Sequence, residues 1–393
     1  VNSSYDEKPG LKSFCFFVFL AWVYSVIQYV FVFADGIFPI LIGGEATASF
    51  GGLLGLILLG MLAITKGGDL FTDSSVDIAR MTRIPPVIVG ATIVSTATSF
   101  PEFMVSLTGT LSGQTEFAVG NAIGSCLCNI GLIIGVCAII RGYLAKKHGL
   151  VPGISADRSM LKGPGGFMIV SCVVVWVFSM FAAGGAILNE EPTRYGLARW
   201  QAGILFVGMF LYLGYSIRVA RQARFETSLS ENPDGEPITF GRILKAIVTF
   251  CIATAIVVIG SRLLVCNGEE IALRMGVPKL VLGLTLFAVG TSLPELTISL
   301  IAVLKGHEAL GIGNIIGSNV MNICWVLASC ALIKPLPIAA QTVFLDLPVT
   351  LLLTVLLLIL PWKLERISTK AGVILLLIYF THLVTITVAG VMT

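Results

Sequence analysis

The sequence predicts an all-α polytopic membrane protein: two inverted five-helix repeats forming a ten-helix core, plus an extra N-terminal helix. Three observations predict it. The chain of 393 residues is 56% hydrophobic and only 12% charged, whereas a soluble protein carries about a quarter charged residues. Its apolar runs reach the roughly 20 residues that a helix needs to cross the hydrocarbon. A stretch of 41 residues also recurs in register, without a gap, 193 positions later.

In chain order the apolar runs are 13–33, 46–80, 84–111, 116–140, 166–188, 200–220, 240–273, 278–304, 309–333, 340–361 and 370–390. They are far longer than a tilted strand and lack alternation, which argues against a transmembrane barrel. The first run follows Lys8 and Lys12 and outlasts the roughly 7–15 residue core of a signal peptide. Residues 1–44 are therefore read as a tail with an extra transmembrane helix, in preference to a signal segment. With the N-terminus cytoplasmic, 18 of the 25 Lys and Arg residues fall inside and 7 fall outside or within spans, as the positive-inside rule requires.

The net charge of +3 is spread over loop ends, which gives no support to a nucleic-acid partner. The nine cysteines form no CxxC pair and read as small buried hydrophobes. His148, His307 and His382 stand isolated, in loops or the last span, and read as solvated or capped side chains.

The recurrence pairs residues 90–130 with 283–323, and 17 of the 41 positions are identical. Matches include Thr98/Thr291, Ser99/Ser292, Pro101/Pro294, Glu102/Glu295, Ser106/Ser299, Asn121/Asn314, Ser125/Ser318 and Asn129/Asn322. Chance apolar similarity would not keep prolines, asparagines and glutamates in register. Residues 45–225 form the first repeat and 226–393 the second, and 223–239 reads as a polar linker. Four spans separate 84–111 from 278–304, so the second begins an odd number of crossings later and lies upside down. Inverted repeats place substrate and coupling ions near the midplane, often on interrupted helices.

Glu102 and Glu295 lie deep in apolar spans, where a carboxylate costs at least a few kcal/mol without a partner, water or an ion. Pro101 and Pro294 loosen the backbone at Ala97 and Gly290, one turn from each glutamate. Thr98, Ser99 and Ser106 share a helical face with Glu102, as Thr291, Ser292 and Ser299 do with Glu295. Ser125 with Asn129, and Ser318 with Asn322, add oxygens on the next helix of each repeat. Gly120 and Gly124, like Gly313 and Gly317, have the small-xxx-small spacing of close helix packing. Carboxylates, hydroxyls, amides and carbonyls suit hard cations, two carboxylates balance one divalent ion, and hydroxyls with carbonyls also suit sodium.

At these residues the chain resembles the cation/calcium exchanger superfamily, in particular sodium/calcium exchangers of prokaryotic type. That family carries two inverted repeats with G-T-S-x-P-E followed by G-N-x-x-G-S-N. The second repeat matches in full at 290–295 and 313–319, while the first has Ala97 for the first glycine and Cys126 for the last asparagine.

The resemblance implies secondary active antiport: cytosolic calcium exchanged for external sodium by alternating access, with 46–80 and 240–273 sliding against the other helices on glycines such as Gly51, Gly52, Gly67, Gly68 and Gly260. It implies calcium ligands Glu102, Glu295, Thr98 and Thr291. It implies sodium ligands Glu102, Glu295, Ser95, Thr98, Ser99, Ser125, Asn129, Ala288, Thr291, Ser292, Ser318 and Asn322, with Ser95 and Ala288 acting through their carbonyls. Asn129 and Asn322 fall where many relatives pair one Asn with one Asp, and two amides argue against potassium co-transport.

Asp77 and Glu270 read as helix-end charges. A proton/calcium exchanger on the same scaffold is the alternative, and an intramembrane hydrolase or a cation channel is more remote. On this reading the protein is no enzyme and needs no cofactor, since calcium and sodium are cargo. It works as a monomer in the plasma (cytoplasmic) membrane.

Overall fold

The computed structural model describes residues 50–392 apart from 83, 114, 150, 157–160, 162, 181–194, 231–239, 276–287 and 363–364. The expected N-terminal helix at 13–33 therefore lies outside the described residues. Ten apolar helices follow: α1 (Phe50–Thr82), α2 (Pro86–Leu111), α3 (Thr115–Lys147), α4 (Pro164–Met180), α5 (Arg199–Ser230), α6 (Phe240–Arg274), α7 (Ala288–Thr291 and Leu293–Leu304), α8 (Glu308–Ile333), α9 (Thr342–Ile359) and α10 (Thr369–Met392). Eight contain stretches long and apolar enough to span a membrane; α4 and the described part of α7 are shorter. This is an all-α integral membrane protein. One boundary differs from expectation, because α5 runs on to Ser230 and takes up half of the expected linker.

Burial sorts the helices into two layers. The most apolar stretch of α8 is 89% buried, that of α2 83%, and that of α1 only 22%. Leu58, Leu62, Leu211, Leu377 and Val384 point outward and are more than half exposed. In a bilayer these face lipid, which rewards apolar surface as water does not. Buried serine, threonine, asparagine and glutamate side chains lie in the interior, within a core that is otherwise apolar.

The inverted symmetry shows directly in the contacts. In each repeat Gly113 or Gly306, both with positive φ (86° and 80°), closes the turn into α3 or α8, a conformation glycine adopts without steric cost. After α3, β1 (Ile154–Ser155) pairs with β4 (Arg366–Ile367), which precedes α10. After α8, β3 (Leu336–Pro337) pairs with β2 (Gly196–Leu197), which precedes α5. Exchanging the repeats exchanges the two ribbons. Since α8 runs alongside α2 in the same direction, and α2 turns back into α3, the ribbons sit on opposite faces. Such short strands carry no readable alternation, and the sequence reading missed them.

α1 and α6 pack against each other through glycine. A Cβ on Gly60 would come within 2.8 Å of the Gly260 carbonyl, and one on Gly67 within 2.8 Å of Ile256 Cγ2. Gly67 and Gly260 are 193 positions apart, so the close crossing is itself a repeated feature. Gly51 meets no described atom within 4 Å, and Gly68 packs on Thr297 and Ile301 of α7.

Ion pairs tie the ends. Lys305 reaches Asp69 (3.1 Å) and Asp73 (2.8 Å) on α1 from the α7–α8 turn. Arg141 Nε meets Glu308 Oε1 at 2.5 Å, joining the end of α3 to the start of α8. Glu270 pairs with Arg274 one turn on, the helix-end role expected of it. The histidine expectation needs a correction. His382 is buried, and its Nε2 lies 2.8 Å from Asp346 Oδ1 on α9, so this imidazole is neither solvated nor isolated. The described cysteines are unbridged, and all but Cys266 are buried.

Candidate cation site

Both glutamates occupy the first turn after a break in a buried helix. Helix α2 stops at Ser99 (φ −80°, ψ 0°) and restarts at Phe100, with Pro101 in its new first turn. Helix α7 stops at Ser292 (φ −88°, ψ 9°) and restarts at Leu293, with Pro294 in the same place. Proline fits there because a first-turn N–H has no intrahelical partner to lose. The breaks leave Glu102 and Glu295 at helix N-termini, where the backbone dipole favours negative charge. The Ser95 carbonyl already accepts from Ser99 N (2.9 Å) and from Thr98 Oγ1 (3.3 Å). Ala288 opens the described part of α7.

Hydroxyls then cross-link the repeats reciprocally. Thr98 Oγ1 donates to Asn314 Oδ1 and Thr291 Oγ1 to Asn121 Oδ1, both at 3.1 Å. Thr98 also meets Ser318 Oγ at 3.3 Å, and Thr291 meets Ser125 Oγ at 3.5 Å. Ser99 Oγ donates to Glu295 Oε1 (3.4 Å), and Ser292 Oγ donates to Glu102 Oε1 (3.5 Å). Behind this layer Asn121 Nδ2 donates to Ser106 Oγ (2.8 Å) and Asn314 Nδ2 to Ser299 Oγ (3.0 Å). Each half of the site is therefore finished by the other repeat.

Both glutamates are 0% exposed, and Oε2 of each has no hydrogen-bond partner. Among the described residues no ion pair involves either one. The same is true of Asn129 Oδ1 and of both polar atoms of Asn322. Buried polar atoms almost always find partners, so five unpaired acceptors and donors in one helix cluster make it the candidate ligand site. Oxygen dominates the set, as a hard cation requires. A cavity of ≈ 200 Å³ between α2, α6 and α7 approaches from one side, lined by Pro101, Val105, Arg262, Val265, Thr291 and Pro294.

The structure brings together Thr98, Ser99, Glu102, Ser125, Thr291, Ser292, Glu295 and Ser318, with Asn129 and Asn322 one turn further along α3 and α8. Two features were missed. Asn121 and Asn314 orient the threonines; their exact repetition was visible, but their partners were not. The helices also widen into π-turns, at Cys128–Ile134 and at Asn322–Leu327. These overlap in register over 129–134 and 322–327. A π-turn frees backbone groups and is frequent at functional sites. Gly313 and Gly317 press on α2, as expected; residues 280–287, which correspond to the α2 segment they meet, lie outside the described residues, so the expectation for Gly120 and Gly124 is untested.

Two inverted helical repeats closing one buried, doubly acidic, oxygen-lined site define an ion transporter of the membrane. Comparison with known proteins gives the family. The family model described as "Sodium/calcium exchanger protein" matches residues 52–218 and 245–388. The sodium/calcium exchanger MaX1 of Methanosarcina acetivorans is 31% identical over 84% of this chain and 97% of its own length. The putative antiporter CaxA of Alkalimonas amylolytica is 33% identical over 83% and 96%. The solved sodium-calcium exchanger NCX_Mj, soaked with 10 mM Na+ and zero Ca2+, superposes with a TM-score of 0.69 at 27% identity, covering 84% of this chain and 97% of that one. The chain belongs to the sodium/calcium exchanger family.

Proposed function

We propose that the protein exports cytosolic calcium in exchange for external sodium, by alternating access to the site between Glu102 and Glu295. The observation that carries the reading is the pair of fully buried carboxylates, each with one oxygen unpaired and, among the described residues, neither in an ion pair. Such a pair must be neutralised before it is sealed from water. One calcium or several sodium ions do this equally well in charge, so the two cargoes compete for one cage. Glu102, Glu295, Thr98 and Thr291 hold calcium. Sodium uses these together with Ser95, Ser99, Ser125, Asn129, Ala288, Ser292, Ser318 and Asn322. The same chain, acting singly in the plasma membrane, needs no further subunit to complete the site.

The charge distribution assigns the faces. With Arg80, Arg141 and Lys305 cytoplasmic, the cavity beside Thr291 opens outward. The Lys305–Asp69–Asp73 cluster then holds α1 against the α7–α8 turn on the inner side. At the companion positions, 193 residues away, the two acids are replaced by Arg262 and Cys266 and the lysine by Ser112, so the acid–lysine set itself is not repeated. Lys305→Met removes two partly exposed pairs worth about 0.2–1 kcal/mol each. The expected result is a few-fold drop in labelling of Cys266, at the cavity wall, by an external impermeant thiol reagent. Unchanged labelling would remove Lys305 from the gating scheme.

Competition tests the shared cage. Calcium titration of the purified protein at rising sodium should show an apparent calcium affinity that falls steadily with sodium. Affinity indifferent to sodium would rule out a common site.

A further inference from the structure

One difference between the two repeats falls inside the hydrogen-bonded scaffold of the site. Asn319 in the second repeat corresponds to Cys126 in the first, 193 positions earlier. Asn319 uses both ends of its amide across the repeat interface. Its Oδ1 accepts from Asn129 Nδ2 at 2.9 Å, and its Nδ2 donates to the Cys126 carbonyl at 3.3 Å. The first bond orients Asn129. Its nitrogen is tied, and its Oδ1 is left as the unpaired end of a side chain that is 0% exposed.

Cys126 repeats only half of this arrangement. Its thiol donates to the Asn319 carbonyl at 3.8 Å, in the place where an amide nitrogen would donate. A thiol is a weak acceptor, so the contact of the Cys126 sulfur with the Asn322 amide is weak and leaves neither polar atom of that amide with a partner at hydrogen-bond distance. Asn322 is therefore buried with neither Nδ2 nor Oδ1 fixed. Both asparagines open a π-turn or lie within its first two residues, so their backbones are alike and the difference lies in the side-chain partner.

We infer that Asn319 and Cys126 are positioning residues that make the two halves of the cage unequal: Asn129 is a pre-oriented carbonyl ligand for the transported cation, and Asn322 is an amide that must be turned each time an ion binds. The inference rests on the cation-exchange reading above. A ligand already held in its bound rotamer loses less freedom on binding than one that is free. The unequal amides therefore adjust an ion affinity whose larger part comes from the charge of the glutamates.

The test is a variant series in vesicles, reading half-saturating sodium and calcium separately from maximal rate. Asn129→Ala should raise half-saturation about tenfold, the equivalent of one oriented contact, and Asn322→Ala clearly less. Asn319→Cys, a smaller side chain that copies the first repeat, should reproduce most of the Asn129→Ala effect. It should add little on top of Asn129→Ala, and it should change maximal rate less than half-saturation. In a Cys126→Asn background, Asn322→Ala should become as costly as Asn129→Ala is in the parent. Equal effects of Asn129→Ala and Asn322→Ala in the parent would overturn the inference. So would independent, multiplying effects of Asn319→Cys and Asn129→Ala. If Asn319→Cys or Cys126→Asn does not fold, the comparison of the two alanine variants still decides. Absence of any sodium-driven flux in the parent would instead count against the exchange reading itself.

Discussion

Glu102→Gln and Glu295→Gln are each expected to abolish calcium transport while leaving a folded protein. The amide keeps the size and one acceptor of the carboxylate, so Ser292 or Ser99 still has an oxygen to bond. What it removes is charge. At about 4 Å and an effective dielectric of about 20, one unit charge pair is worth about 4 kcal/mol, and a divalent ion doubles that. Even the single-charge figure corresponds to about a thousandfold in affinity. The measurement is calcium flux at saturating sodium gradient, paired with size-exclusion and thermal unfolding of each variant. Flux within tenfold of the parent in either variant would show that the carboxylate is not a ligand.

Gly317→Val should be nearly as damaging, by a different route. A Cβ at this position would lie 2.5 Å from both the Ala91 carbonyl and Ser95 Oγ, and 2.7 Å from Ser95 Cβ. The Ala91 carbonyl is backbone, and it already accepts the Tyr212 hydroxyl at 2.7 Å, so α2 has nowhere to yield. Overpacking of this kind costs about 1–3 kcal/mol, and more where backbone must shift. The shift would fall on the segment that places Ser95, Thr98 and the Ser99 break. The expected outcome is a lowered melting temperature and lost transport. A silent Gly317→Val would show that the α2–α8 contact does not hold the site.

Much of this was legible in the sequence because two physical constraints write themselves into it. The bilayer demands long apolar helices, so composition and run length gave the fold class and nearly every helix. The repeat then served as an internal alignment: Pro101/Pro294, Glu102/Glu295 and Thr98/Thr291 stood out because they matched where apolar neighbours did not. The reciprocal bonds from Thr98 to Asn314 and from Thr291 to Asn121 follow from that pairing once the repeats interlock.

The rest depends on contacts between segments far apart in the chain. Asp346 with His382, and the ribbons of β1 with β4 and β2 with β3, join residues whose sequence contexts give no hint of one another. The π-turns at Asn129 and Asn322 lie in ordinary-looking apolar runs. Cys126 was visible as a departure from the pattern, but its consequence appears only beside Asn319 and the unpaired Asn322 amide. Helix α5 outran the expected polar linker because charged residues such as Arg221, Arg224 and Glu226 are good helix formers beyond the membrane.

The central claim, exchange of calcium for sodium through the Glu102–Glu295 cage, is tested most directly by one flux measurement. Purified protein is reconstituted into sodium-loaded vesicles and diluted into sodium-free medium containing labelled calcium, with a parallel set carrying only an outward proton gradient. The account predicts rapid calcium uptake driven by the sodium gradient, abolished when the gradient is collapsed, and none driven by protons alone. Calcium uptake that ignores sodium, or that follows the proton gradient instead, would contradict it.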